Sequence, residues 1–279
     1  MFLEIIKRKF RQSRLYGILL RLRRLHSEPR QRREYFEKID AALGRKKVVI
    51  AVTYGGIGDV LIYSSLPRLL KEQKDTDFYF SESSRSVFRH PDIFKLCFGL
   101  NPYFKGFAPD KESVTIGGFI RQIDKATGPK NLLETLENQF ELVGTGLPEI
   151  FYKPKKISSL ENTLLIDTNT VSGAGLGWVM DESILKKIID DASTQGKTIK
   201  YVDPKAQNIF EYVDMIYSAN YFVCFLSGGH ALAVALRKPC TVILPENFDG
   251  GGISKFIYPK WPLVTYVRKR SMSRYLDKK

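Results

Sequence analysis

Val48-Val49-Ile50-Ala51-Val52-Thr53-Tyr54-Gly55-Gly56-Ile57-Gly58-Asp59-Val60-Leu61 carries an apolar run into a glycine-rich turn and out into a helical pattern. The run is continuously apolar, as a strand covered on both faces of a parallel sheet is. Glycines let the chain turn tightly after the strand and approach a ligand closely. The helix that follows aims N–H groups and a partial positive charge at the turn. About 170 residues later the pattern returns in Tyr221-Phe222-Val223-Cys224-Phe225-Leu226-Ser227-Gly228-Gly229-His230-Ala231-Leu232-Ala233. Two such turns imply two nucleotide-binding-type halves with a cleft between them.

Strand and helix alternate outward from both turns. In the first half the pattern predicts a strand at 47–54 and one helix over 57–71 with Val60, Leu61, Ser64, Leu66, Leu69 and Leu70 inside. A short strand at 77–80, a loop into a short helix at 90–94, short strands or loops over 102–117 and a helix at 130–142 follow. Lys153-Pro154-Lys155-Lys156 reads as an exposed interdomain linker. The second half predicts strands at 163–167, 198–202, 221–226 and 240–244, and helices at 181–192, 208–219 and 229–237, with a glycine-rich loop at 172–178. This alternation argues for α/β architecture, two Rossmann-like parallel sheets with helices on both faces. The expected organisation is a basic helical appendage over 1–45, an N-terminal domain over 46–155 and a C-terminal domain with a basic tail over 156–279.

The 279 residues carry a net charge of +14, unevenly spread. Residues 1–47 hold 15 Lys and Arg against 5 acids, a surplus of 10, which leaves +4 on the remaining 232. Residues 2–25 read as one or two basic amphipathic helices, with Phe2, Leu3, Ile6 and Phe10 on one stripe and Leu15, Ile18, Leu19, Leu22 and Leu25 on another. Such a segment suits an anionic membrane surface, apolar side in and cations on the headgroups, so residues 1–27 are the expected membrane contact; packing on the body or on a partner chain is the other reading. Nucleic acid is disfavoured because no base-stacking pattern or reader motif accompanies the charge. No apolar stretch reaches about 18 residues, the length a spanning helix needs. Cys97, Cys224 and Cys240 have no metal-ligand spacing and no disulfide framework, which favours a reducing cytoplasm.

Three places resemble the heptosyltransferase family, glycosyltransferase family nine, of GT-B architecture. Gly58-Asp59-Val60-Leu61 with Leu66-Pro67 and Leu69-Leu70 is similar to that family's opening turn and helix; Gly173-Ala174-Gly175 with Trp178 to the loop that starts its donor domain; and Ser227-Gly228-Gly229-His230 through Leu236, with Lys238-Pro239, to its donor-site turn and helix. The match runs over about residues 47–245. The resemblance implies sugar transfer from a nucleotide-sugar donor, with no metal and no cofactor. Asp59 matches the general base that takes the acceptor proton, and as an acid beside Val60 and Leu61 it also suits a helix cap. Gly56, Gly58, Gly173, Gly175, Ser227, Gly228 and Gly229 are the expected phosphate-side contacts. His230 is expected to reach a phosphate or the sugar, or to serve as a capping or packing residue.

The chain departs from the family where Leu226 precedes Ser227 in place of an acid and Ala231 stands where the family's histidine falls. The body is also short for two full GT-B domains. Lys205, Glu246 and Lys255 are candidates for a rebuilt donor site, Lys205 and Lys255 toward phosphate and Glu246 toward ribose or sugar hydroxyls; each also suits an ordinary solvated loop. The resulting expectation is an inverting, metal-independent glycosyltransferase at the cytoplasmic membrane face acting on a cell-surface glycan or lipid-linked acceptor. A non-catalytic scaffold of a polysaccharide assembly complex is the alternative. A dinucleotide enzyme lacks support because the first turn has neither the spacing nor the downstream acid of that fingerprint, and the Gly-Lys-Ser/Thr ending of a P-loop is absent.

Overall fold

A computed structural model describes residues 30–52, 54–88, 90–115, 131–169, 180–202, 208–245, 257–258 and 261–268. Residues 1–27, expected from the sequence to contact a membrane, lie outside the described residues, as do Gly173, Gly175, Lys205, Glu246 and Lys255. No described helix is long and apolar enough to cross a membrane.

The chain forms two compact units that interleave along the sequence. One takes the described parts of Met1–Tyr54, Ser65–Val87 and Asn101–Gly146; the other takes Gly55–Ser64, Phe88–Leu100 and the described parts of Leu147–Lys279. Each contains its own all-parallel sheet.

In the first unit, helix α1 (Arg30–Gly44) leads into strand β1 (Lys47–Ala51). Strands β2 (Asp77–Ser81), β3 (Phe104–Ala108) and β4 (Val114–Thr115) complete a sheet of order β3-β2-β1-β4. Val48, Val49, Ile50, Phe78 and Phe80 are buried, as a doubly covered parallel sheet requires. Helix α1, which reads from its charge as part of the appendage, lies against β1 and β4 and buries Tyr35, Phe36, Ile39 and Ala42. Its exposed Arg33, Glu34, Glu37 and Lys38 are the outer face of a core helix.

The helix expected over 57–71 is two. Helix α2 (Ile57–Leu61) ends at Ile62, and α3 (Leu66–Lys74) begins after Ser65 with Pro67 in its first turn. Proline has no N–H for a carbonyl four residues back, so the helix cannot run through it. The break coincides with the passage between units at Ser64 and Ser65: α2 packs in the second unit and α3 covers β2 in the first. Helix α4 (Pro91–Phe94), capped by His90, continues into a π-helical turn at Lys95–Gly99 in the second unit. Helix α5 (Leu132–Gln139) returns to the first.

The second unit orders β5 (Thr163–Asp167), β6 (Thr198–Tyr201), β7 (Tyr221–Phe225), β8 (Cys240–Ile243) and β9 (Val264–Val267) as β6-β5-β7-β8-β9. Helices α6 (Glu182–Thr194), α7 (Ile209–Ser218) and α8 (Gly228–Ala235) make the crossovers and cover the faces. Leu164, Ile166, Ile184, Ala192, Val223 and Ile243 form one side of the core. The stretch 153–156 keeps exposed lysines, but its backbone is tied down: Asp214 accepts from Lys155 N at 2.8 Å and from the Tyr152 hydroxyl at 3.0 Å, and Ser218 accepts from Ile157 N at 2.8 Å.

Candidate functional site

Parallel sheets bind ligands at their carboxyl edge, in the crevice where strand order reverses. In the first unit that reversal lies between β1 and β4, because β2 and β3 extend to one side of β1 and β4 to the other. The first glycine turn leaves β1 there. In the second unit the reversal lies between β5 and β7, and the second glycine turn leaves β7 beside it. Topology therefore puts each motif at the carboxyl end of its strand, beside a reversal of strand order.

At the first turn Gly56 caps α2 with extended backbone, and Asp59 is the third helical residue. Asp59 is thus not the cap; its carboxylate folds back over the turn, so that a Cβ on Gly56 would lie 2.9 Å from Oδ2. A negative charge in a helix's first turn meets the positive end of the dipole. Its field also reaches the buried Tyr63, whose hydroxyl is pushed well above its ordinary range by burial first and the Asp59 charge second.

At the second turn Ser227 caps α8, its Oγ accepting from Gly229 N at 3.3 Å. The two glycines that follow answer packing needs. A Cβ on Gly228 would stand 2.8 Å from Ile57 Cβ and 3.3 Å from Gly58 N, and one on Gly58 would stand 3.7 Å from Gly228 Cα. Helices α2 and α8, both in the second unit, meet through these glycines. Gly229 leaves room for a different pair: a Cβ there would overlap the Tyr212 hydroxyl and lie 3.2 Å from Asp167 Oδ2.

Asp167 and Tyr212, which the sequence reading did not single out, lie directly against the second turn. Asp167 ends β5 at the reversal and is 6% exposed. Its Oδ2 accepts the Tyr212 hydroxyl, and its Oδ1 accepts from Asn169 N at 2.9 Å and Asn169 Nδ2 at 3.0 Å. Burial first, and the neighbouring carboxylate second, push the Tyr212 hydroxyl well above its usual range, so it stays a donor. The only cue in the sequence is that a strand of Leu164, Leu165 and Ile166 stops at an acid followed closely by Asn169.

His230 has the packing role. It is 2% exposed, with its ring 5.1 Å from that of Tyr258 and 5.8 Å from that of Tyr266. Tyr258 N donates to the Tyr266 hydroxyl oxygen at 2.8 Å, which leaves the Tyr266 proton for His230 Nε2 at 3.1 Å. The other ring nitrogen then donates to the Ser227 backbone. Burial pushes the imidazole down to about 3, so it is neutral at pH 7. The reading of His230 as a phosphate or sugar contact finds no surface on this ring.

Among the described residues no group of three or more His, Cys, Asp or Glu is arranged to hold a metal. Asp75-Thr76-Asp77 has the Asp-x-Asp form but lies at the amino end of β2, where Lys71 Nζ pairs with both carboxylates at 3.0 and 3.1 Å. The three cysteines are buried free thiols.

No protein-family model and no curated protein matches the sequence. Solved structures do. The dodecameric iron-containing heptosyltransferase TibC in complex with ADP-D-beta-D-heptose is similar at a TM-score of 0.54 and 14% identity, over 80% of this chain and 62% of that one. TibC from enterotoxigenic E. coli H10407 is similar at 0.49 and 14%, over 80% and 63%. E. coli heptosyltransferase WaaC with ADP follows at 0.45 and 13%, over 83% and 99%. The chain therefore spans less than two thirds of the length of the TibC chains it matches. The likeness shows a shared fold, two parallel-sheet α/β regions of the GT-B kind.

Proposed function

We propose that the protein is an inverting, metal-independent glycosyltransferase that moves a sugar from a nucleotide-sugar donor to a glycan or lipid-linked acceptor. The observation that carries this reading is the pairing of α2 with α8 at Gly58 and Gly228, in a fold shared with TibC. It sets the acid-bearing turn beside the helix whose N-terminus suits phosphate. TibC's structure holds ADP-D-beta-D-heptose, which supports a nucleotide-sugar as the ligand class. In the reaction, the acceptor oxygen attacks the anomeric carbon and gives its proton to the Asp59 carboxylate. The bond from that carbon to the phosphate oxygen breaks, and the nucleotide leaves with the electron pair, its charge met by the α8 dipole. The basic residues 1–27 support, from sequence, attachment to the anionic cytoplasmic face of a membrane.

A second reading is favoured by the internal engagement of the donor turn. Ser227 is used as a cap, Gly228 for packing and His230 as a core residue. That is what a non-catalytic scaffold would retain. A thermal-shift screen of ADP-, UDP-, GDP- and CMP-sugars with the free nucleotides separates the two. Ligand at about 100 times its dissociation constant adds about 2.7 kcal/mol. A selective shift, together with an Asp59→Asn variant that still binds nucleotide but no longer turns over, supports the enzyme. No shift with any of them leaves the scaffold. Deleting residues 1–27 is expected to release the protein from anionic vesicles; retained binding ends the membrane assignment.

A further inference from the structure

In the first unit, hydrogen bonds join the carboxyl ends of β1, β2 and β3 into one ledge. The Ser84 hydroxyl accepts from Val52 N, just past β1, at 2.9 Å and meets the hydroxyl of Ser81, which ends β2, at 2.9 Å. Ser81 also meets the Ser83 hydroxyl at 3.0 Å. Ser83 in turn donates its N–H and its hydroxyl to Asp110 Oδ1, past the end of β3, at 3.0 and 2.8 Å. Neighbouring strands lie about 4.8 Å apart, so the ledge runs about 10 Å along the sheet edge. Its two ends carry groups free to meet a ligand. Tyr54, in the stretch that leaves β1, is 65% exposed, the most of any large hydrophobic side chain among the described residues. No hydrogen bond or ring contact engages it among those residues. Asp110 is exposed and pairs with no cation among them, and the hydrogen bonds from Ser83 hold its carboxyl below the usual carboxylate range. An open aromatic face and a fixed, charged acceptor thus share one rigid edge.

We propose that this ledge is the acceptor platform, and that the acceptor presents a sugar ring to it, with the C–H face on Tyr54 and hydroxyl groups on Asp110. The inference rests on the transferase reading above and names its acceptor class, a glycan rather than a lipid phosphate. One face of a sugar ring is lined by C–H groups and suits an aromatic surface, while its hydroxyls donate to a carboxylate. A phosphate would instead meet Asp110 as a like charge. The position fits as well. Tyr54 stands where strand order reverses beside β1, and the next residue, Gly55, opens the turn that carries Asp59.

The test is saturation-transfer NMR of the full chain with the methyl glycosides of glucose, galactose, mannose and N-acetylglucosamine, and with glycerol 3-phosphate as the lipid-phosphate probe. Wild type is expected to pass saturation to the ring C–H protons of at least one glycoside and not to glycerol 3-phosphate. Tyr54→Phe keeps the ring and is expected to bind as wild type does. Tyr54→Ala is expected to weaken the glycoside about three- to tenfold. Asp110→Asn still offers Ser83 an acceptor but loses the charge, and is expected to weaken it about tenfold. Both side chains are exposed, so an unchanged melting temperature marks a lost contact rather than a lost fold; if Asp110→Asn melts early, the two Tyr54 variants decide. Unchanged affinity in a folded Tyr54→Ala or Asp110→Asn, silence of all four glycosides, or binding of glycerol 3-phosphate that Tyr54→Ala removes overturns the platform. The nucleotide screen above keeps the two failures apart. A selective nucleotide shift beside any of those results leaves the transferase with its acceptor elsewhere. Glycoside binding that depends on Tyr54 and Asp110, with no nucleotide shift, keeps the sugar ledge and removes the transferase.

Discussion

Gly229 shows how one absent side chain organises the second unit. With no Cβ it lets α8 approach the Asp167–Tyr212 hydrogen bond, and a methyl group there would overlap the tyrosine oxygen. Gly229→Ala is expected to lower stability by about 1–3 kcal/mol, the usual cost of overfilling a packed site, read as a shifted urea midpoint. Tyr212→Phe in the same background should recover part of that loss, since it removes the clashing atom. His230 makes a prediction in pH. Its folded value near 3 lies below the usual 6.5, because burial penalises the charged ring. Below about pH 6.5 the unfolded chain takes up a proton at this residue that the folded chain refuses, so the contribution of His230 to stability falls toward pH 3 by about 1.4 kcal/mol per pH unit and is constant above. Denaturant midpoints at pH 7 and pH 5 should show a smaller acid loss for His230→Gln than for wild type. An equal loss in both would place the acid sensitivity elsewhere.

At the scale of elements, a short polar strap does what the composition of 153–156 does not suggest. Asp214, 7% exposed on α7, holds both Tyr152 and the backbone of Lys155. Asp214→Ala leaves a hydroxyl and an N–H without their acceptor and is expected to cost about 2–3 kcal/mol. Amide exchange should quicken first at Lys155 and Ile157, ahead of β7; uniform quickening would mean the strap is not a local unit. Strand–turn–helix order was legible because apolar runs, glycines and helical spacing are local signals, and the carboxyl-edge position of both turns follows from them. The purposes of Gly228 and Gly229 were not legible, since the atoms they make room for, on Ile57 and Tyr212, come from other elements. The split between α2 and α3 had a local cue in Pro67, which the continuous apolar stripe from Val60 to Leu70 masked. Strand β9 escaped notice although Leu263-Val264-Thr265-Tyr266-Val267 is a β-prone run, because no helical pattern follows it to mark another strand–helix unit.

For the whole molecule, sequence order and structural order part company. Two excursions from the first half, Gly55–Ser64 and Phe88–Leu100, belong to the second unit. The first brings α2, whose Val60 and Leu61 are fully buried and whose Ile57 and Gly58 meet Gly228. The second brings Lys95 to within 5.7 Å of the Phe210 ring centroid and Phe94 and Phe98 into one stack. A fragment of residues 147–279 has all five strands of its sheet but neither excursion. It would expose the glycine face of α8 and part of the surface of α7, and burying a single Val or Leu side chain is worth about 1.5–3 kcal/mol. Several such losses are comparable to the total stability of about 5–15 kcal/mol that a domain commands. The fragment is therefore expected to melt without a cooperative transition and to give poorly dispersed amide spectra. Joining a copy of residues 55–64 through a flexible linker should restore part of the transition. A bare fragment that melts as sharply as the full chain, at the same temperature, would show that the second unit stands without α2.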